Sequence, residues 1–133
     1  PRAEMLEFEV STHVEASPEE VYAAWLDPHK HSMMTGGHAD VNDEVGASFS
    51  AWGGYIQGTN LELEPGVRIL QRWRTSEFAA DEEDSLLEIR FEADGGGTRV
   101  TIHHSQLPPH GEIYEQGWIT SYFEPMKSFF GHD

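Results

Sequence analysis

The chain opens with alternation. Between Met5 and Val14, Leu6, Phe8, Val10 and Val14 share one parity while Glu7 and Glu9 take the other, which predicts a half-buried strand. The period then changes. Ser17-Pro18-Glu19-Glu20 is a helix start: Ser17 serves as N-cap, Pro18 occupies the first helical position and Glu20 closes a capping box. Val21, Tyr22, Trp25 and Leu26 follow at the spacing of a buried helical stripe. Asp27-Pro28 ends that helix and caps a second, short one reaching Met33 or Met34.

After Gly36-Gly37 the period returns to two. A short strand and a turn are expected over 38–45. Ala47, Phe49 and Ala51 then alternate with Ser48 and Ser50, and Gly53-Gly54 makes a tight connection. Strands are predicted over 55–64 and 68–78, joined by a Pro65-Gly66 turn. A further strand carries Leu87, Ile89, Phe91 and Ala93. Past Gly95-Gly96-Gly97, the returning strand places Val100, Ile102 and His104 on one parity. Beyond Pro108-Pro109 a helix is expected over 112–130, with Ile113, Trp118, Tyr122, Met126 and Phe129 spread along it and Pro125 kinking it. The acidic run 81–84 reads as a solvated loop, because the alternating oxygen ligands of a calcium loop are missing.

Short hairpins without a βαβ rhythm imply an antiparallel sheet, whose apolar face must be covered. The terminal helix is the only element long enough to do it. The expected architecture is α+β: a curved antiparallel sheet of about six to seven strands around a long C-terminal helix. Two short helices follow the first strand, and residues 1–133 form a single domain.

Composition narrows the chemistry. The chain has no cysteine, so disulfides, thiolate metal sites and cysteine nucleophiles are excluded. Asp and Glu total 24 against 8 Lys and Arg, for a formal net charge of −16. That field repels nucleic-acid phosphates and anionic membranes. Lysine is scarce, and an acid-rich, lysine-poor surface suits concentrated salt, where the Debye length falls to about 3 Å at 1 M; a halophilic source is therefore expected. No apolar run is long enough for a membrane span, and the first ten residues lack a signal core, so a cytoplasmic location is expected. No cofactor is expected, and the expected oligomeric state is a monomer.

Ring-bearing residues carry the candidate site. Trp52, Tyr55, Trp73, Trp118 and Tyr122 fall on elements predicted to face one another, where inward rings with polar edges could line a pocket. His104 joins them by parity and needs a hydrogen-bond partner, for which Ser105, Tyr122 or a ligand are the candidates. Ser105 itself points to the opposite face, so the two are not a nucleophile–base pair. His29, His31 and His38, with Asp40, look metal-like, but the His29-x-His31 spacing does not bring both rings to one side of a helix. No metal site is assigned. Arg72 and Arg74 share a parity and are expected either to pair with Glu62 or Glu88 or to grip an anion at the pocket mouth.

Several segments, in order, resemble a known family: Ala16 to Trp25 with Met34-Thr35-Gly36-Gly37, Phe49 to Ile56, Asn60 to Pro65, and Arg68 to Phe78 with its Gln71-Arg72-Trp73-Arg74 centre. The rest are Gly96-Gly97-Thr98-Arg99, His104-Ser105, and Gly117-Trp118 through Pro125-Met126-Lys127. Together they resemble the family named for the activator of the heat-shock protein 90 ATPase, within the START-like, birch-pollen-allergen-like (SRPBCC) superfamily. The resemblance implies a helix-grip fold with a cavity between sheet and long helix, able to take an apolar ligand. In eukaryotic co-chaperones this unit is joined to a second, N-terminal domain, which the resemblance does not cover.

Three functions follow as expectations. The first is a non-catalytic domain binding a small apolar or amphipathic ligand. The second is a chaperone-associated or stress-related interaction module. The third is a cyclase- or hydrolase-like enzyme, which would need a tuned acid or base such as His104 or Glu77.

Overall fold

A computed structural model describes residues 5–131. The elements run β1 (Leu6–Val14), α1 (Pro18–Leu26), α2 (Pro28–Thr35), β2 (Ser48–Ala51), β3 (Ile56–Glu64), β4 (Arg68–Thr75), β5 (Ser85–Asp94) and β6 (Gly97–Leu107). A composite helix, α3, follows over 109–130. It begins as a 3₁₀ turn (Pro109–Glu112), continues as an α-helix (Ile113–Trp118), widens to a π turn (Ile119–Phe123) and closes as an α-helix (Glu124–Phe130). The six strands form one antiparallel sheet in the order β1-β6-β5-β4-β3-β2. This is the α+β architecture that the alternation and the terminal helix imply, and it matches the helix-grip fold that the resemblance implies.

The caps form where the sequence places them. Glu20 N–H donates to Ser17 Oγ at 3.2 Å, and Lys30 N–H donates to Asp27 Oδ1 at 2.8 Å. Gly36 ends α2 in the left-handed region with φ 86°.

Two expectations are corrected. The strand expected over 38–45 does not form, and Asp40 makes only an isolated bridge to Ser50. The segment's polar groups are taken instead by the buried side chain of Asn60, whose amide donates to Asn42 O (3.1 Å), Asn42 Oδ1 (3.0 Å) and Glu44 O (3.0 Å). The carbonyls of Asn42 and Glu44 are thereby satisfied without a partner strand. Pro125 is not itself the irregularity in α3. Lacking an N–H and crowding the carbonyl four residues back, it is accommodated by the turn before it, where Glu124 N–H reaches Ile119 O five residues away.

The inner face of the sheet is apolar at its centre: Ile69, Leu87, Ile89, Val100 and Ile102 are all 1% exposed or less. The outer face is ionic. Arg68 and Arg90 lie directly opposite across β4 and β5, and Glu88 accepts from both, at 2.6 and 3.2 Å. Arg68 also reaches Glu62 at 2.6 Å. The acids expected to pair with Arg72 or Arg74 therefore go to Arg68, while Arg74 binds Asp84 at 2.8 Å. The 81–84 loop is correspondingly more than solvated: Glu82 accepts from Ala79 N–H, and Asp84 holds Arg74.

Candidate functional site

The inner face and α3 meet in a layer of aromatic rings. Trp73 of β4 stands edge-on to Tyr114 (centroids 5.0 Å apart, planes at 80°) and is tilted against Trp118 (5.6 Å, 43°). Trp118 leans on Tyr122 at 4.8 Å, and Tyr122 stacks on Trp25 of α1 at 5.0 Å. Deep between helix and sheet this packing is nearly complete, leaving a void of about 10 Å³. Toward the β2–β3 side the layer opens into a cleft of about 440 Å³ bounded by Trp52, Tyr55, Ile56, Trp73, Tyr114, Trp118 and Tyr122. Ile113, Gly117 and Ser121 complete its helical side.

Five of the six residues expected to line a pocket thus share this cleft. Trp73, Trp118 and Tyr122 are almost fully buried and form its floor. Trp52 and Tyr55 are half-buried at its edge. Trp52 adopts φ 54°, in the left-handed region that a non-glycine residue rarely occupies, and is followed by Gly53 and Gly54 at 66° and 97°. Its ring lies on Gly37, where an added Cβ would come within 2.4 Å of it. Strain in the backbone and a glycine beneath the ring together set its position.

His104 lies behind the wall rather than on it. Its ring is fully buried, 4.5 Å from that of Trp73. Neither hydrogen-bond partner is one the sequence suggested. Trp118 Nε1–H donates to His104 Nδ1 at 3.0 Å, and His104 Nε2 lies 2.8 Å from Ser85 Oγ. An indole N–H only donates, so Nδ1 accepts and the proton of the neutral ring sits on Nε2. His104 then donates to Ser85, and Ser85 donates to Trp73 O at 2.7 Å. Burial, followed by the neighbouring His103, lowers the His104 pKa to about 3.

His31, which the sequence weighs only within a metal-like set, has a structural role that the sequence reading misses. It is 2% exposed, with Nδ1 2.7 Å from Trp25 O and Nε2 2.9 Å from Tyr122 Oη. A carbonyl only accepts, so here the proton sits on Nδ1, and Tyr122 donates to Nε2. Burial lowers the His31 pKa, outweighing the Trp25 hydrogen bond that raises it. Burial likewise raises the Tyr122 hydroxyl above the ordinary phenol range. Each buried histidine therefore holds one ring of the cleft: His104 holds Trp118, and His31 holds Tyr122. The readable signal was the set His31, Met34 and Thr35, spaced i, i+3, i+4 behind the Asp27 cap and all buried.

At the edge of the cleft the hydroxyl of Tyr55 donates to the Glu77 carboxylate, and Thr75 Oγ1 lies 2.6 Å from Tyr114 Oη. Among the described residues no buried polar side-chain atom lacks a partner, and no cluster of metal-ligating side chains occurs. Both histidines are saturated, and Glu77 is exposed with Tyr55 as its partner. The arrangement can receive and orient a molecule; it presents no paired acid and base.

Comparison with known proteins agrees with this geometry. The chain is 32% identical over 120 residues to an activator of 90 kDa heat shock protein ATPase homolog from Dictyostelium discoideum, covering 89% of this chain and 31% of that protein. It is 26% identical to activator of 90 kDa heat shock protein ATPase homolog 1 from Homo sapiens, covering 87% of this chain and 34% of that one. The chain thus spans about a third of the length of these relatives. Its fold matches the crystal structure of an HSP90 activator from Plasmodium falciparum with a TM-score of 0.86 at 20% identity, covering 96% of this chain and 98% of that one. No helix among the described residues is long and apolar enough to cross a membrane. The model of the Activator of Hsp90 ATPase homolog 1-like protein family matches residues 15–131, and the chain belongs to that family.

Proposed function

We propose that this chain is a non-catalytic binding domain that takes a small apolar or amphipathic molecule in the aromatic cleft. The carrying observation is an open space of about 440 Å³, walled by six rings, beside an interior that is otherwise filled. Spaces of this size and lining are typical of small-molecule sites. Trp52, Tyr55, Trp73, Trp118 and Tyr122 make the contact surface, and His104 acts one layer behind, by fixing Trp118. Gly117 supplies a clean test. It is helical, lines the cleft, and an added Cβ would meet nothing within 4 Å. Gly117→Leu should gain up to about 1 kcal/mol of helix stability while filling the space. Heteronuclear shift titrations with fatty acids, sterols, flavonoids and aromatic acids should move the indole signals of Trp73 and Trp118 saturably in the parent chain. The same ligands should leave them unmoved in Gly117→Leu. If no ligand shifts the cleft residues of the parent, the proposal falls.

A second reading is contact with a chaperone, supported by family membership and the relatives' names. The exposed apolar side chains Met5, Met33, Val45, Val67 and Ile113 belong to five different segments. Co-purification with a chaperone, or a change in its ATP turnover on adding this chain, would support that reading.

A further inference from the structure

We infer that the cleft selects cationic amphipathic molecules, such as an aryl- or alkyl-substituted quaternary ammonium, over neutral or anionic molecules of the same shape; this rests on the cleft being a binding site. The first observation is what the wall offers. Six of the ten lining residues are aromatic and none is a lysine, arginine or histidine. Adjacent rings do not stack into a flat sheet. Trp73 and Tyr114 meet at 80°, Trp118 and Tyr122 at 53°, and Trp52 and Tyr122 at 70°. A wall of six such rings with no fixed cation among its lining residues suits a weakly hydrated cation better than an anion.

The second observation is the polar end. Tyr55, on the cleft edge, gives its hydroxyl proton to Glu77. Burial chiefly raises the Tyr114 hydroxyl, hydrogen bonds to Thr75 and Tyr55 oppose it, and the negative charges of Glu77 and Glu82 add to the rise. The basic groups on this side are already engaged. Arg74 packs 5.3 Å from the Phe78 ring and binds Asp84 with the carbonyls of Ala79 and Glu82; His110 binds Glu82 at 2.9 Å. A ligand carboxylate would find no counter-ion here. An ammonium would find ring faces and Glu77, within the field of a chain carrying a net charge of −16.

The third observation is that no buried polar side-chain atom among the described residues waits for a partner. Discrimination therefore falls to ring faces and to the carboxylate at the edge, both of which favour positive charge.

Three probes of nearly one shape separate the possibilities: phenyltrimethylammonium, its uncharged isostere tert-butylbenzene, and benzenesulfonate. Titration followed by tryptophan fluorescence and by indole shifts should show the ammonium binding about tenfold or more tighter than tert-butylbenzene, with the sulfonate weakest. Raising salt to about 1 M should narrow that gap. Glu77→Gln, at an exposed position, should weaken the ammonium about threefold or more and leave tert-butylbenzene unchanged. Equal or tighter binding of tert-butylbenzene or the sulfonate would overturn the cation preference and leave the cleft as a binding site. Failure of all three to bind, in a chain whose Gly117→Leu variant behaves identically, would overturn both.

Discussion

The two buried histidines invite comparison because they do the same mechanical work from opposite sides of the cleft. His104 stands on β6, between β1 and β5 in the sheet, and His31 on the eight-residue helix α2. Each engages both ring nitrogens, each is held neutral by burial, and each fixes one ring of α3. Their protons nevertheless sit on opposite nitrogens. An indole donor forces the Nε2–H form on His104, and a carbonyl acceptor forces the Nδ1–H form on His31. The difference shows that a buried histidine's tautomer is set by whichever partner has only one role. It also shows that α3 is bolted at two independent points, Trp118 to the sheet and Tyr122 to α2, with the cleft alongside.

Removing the bolts should separate them in energy. His104→Ala opens a cavity in the core and leaves the Trp118 indole N–H, which can only donate, without an acceptor; a loss of about 4 kcal/mol is expected. His31→Ala orphans Trp25 O, but the Tyr122 hydroxyl can rotate toward another acceptor, and about 3 kcal/mol is expected. Urea unfolding of the two variants and the parent measures both. A smaller loss for His104→Ala than for His31→Ala would show that the sheet-side bolt is not the stronger.

How much of this was readable follows from the period of each element. Strand parity is a two-state choice, so Val100 and Ile102 sufficed to turn His104 inward before any coordinates. Its partners were out of reach, because Ser85 is 19 residues away and joins it only through the β5–β6 register. A helix as short as α2 spans about two turns, too few for its stripe to stand out, and the His29-x-His31 spacing, which rules out a shared face, gave His31 no other role. The missing strand at 38–45 was hidden for a third reason. Its backbone is held by Asn60, whose place beside the irregularity between Asn60 and Glu62 is a property of β3–β4 pairing. Aromatic residues announced the cleft because rings on facing elements must meet. That the space between helix and sheet fills while the β2–β3 side opens depends on packing angles which spacing does not carry.

Acid sharpens the comparison at a lower energy. Both histidines have folded pKa values below the ordinary value near 6.5, so below that pH the unfolded chain binds protons that the folded chain refuses. Their contribution to stability is present above about 6.5 and is lost as the pH falls toward the folded values, about 3 for His104. For His104 the slope is about 1.4 kcal/mol per pH unit, or about 2 kcal/mol by pH 5, and His31 adds a loss of the same sign. The acids held low in the folded state add losses only at lower pH: His110 chiefly pulls Glu82 down, and at Glu88 the pairing with Arg68 and Arg90 outweighs burial. Urea midpoints at pH 7.5 and about pH 5 should therefore fall in the parent and fall less in His31→Gln, which keeps a donor and an acceptor but cannot titrate. An unchanged parent midpoint would mean that the folded chain takes up protons over this range as readily as the unfolded chain, and that neither ring is held neutral by burial.

The smallest effect distinguishes the partner that sets the tautomer from the partner that follows it. Ser85 relays the His104 proton toward Trp73 O, yet its hydroxyl can donate or accept, so it accommodates whichever form the ring adopts. Ser85→Ala should cost about 1 kcal/mol and leave His104 in the Nε2–H form, because Trp118 still donates to Nδ1. Trp118→Phe keeps an aromatic ring but removes the donor, and the constraint on the tautomer goes with it. Histidine ring ¹⁵N spectra read this directly: one protonated Nε2 in the parent and in Ser85→Ala, and a mixed signal in Trp118→Phe. His31 is unaffected in both, since its carbonyl partner belongs to α1. A parent spectrum with the proton on His104 Nδ1 would break the chain at its first link, because the indole N–H would then face another donor across 3.0 Å.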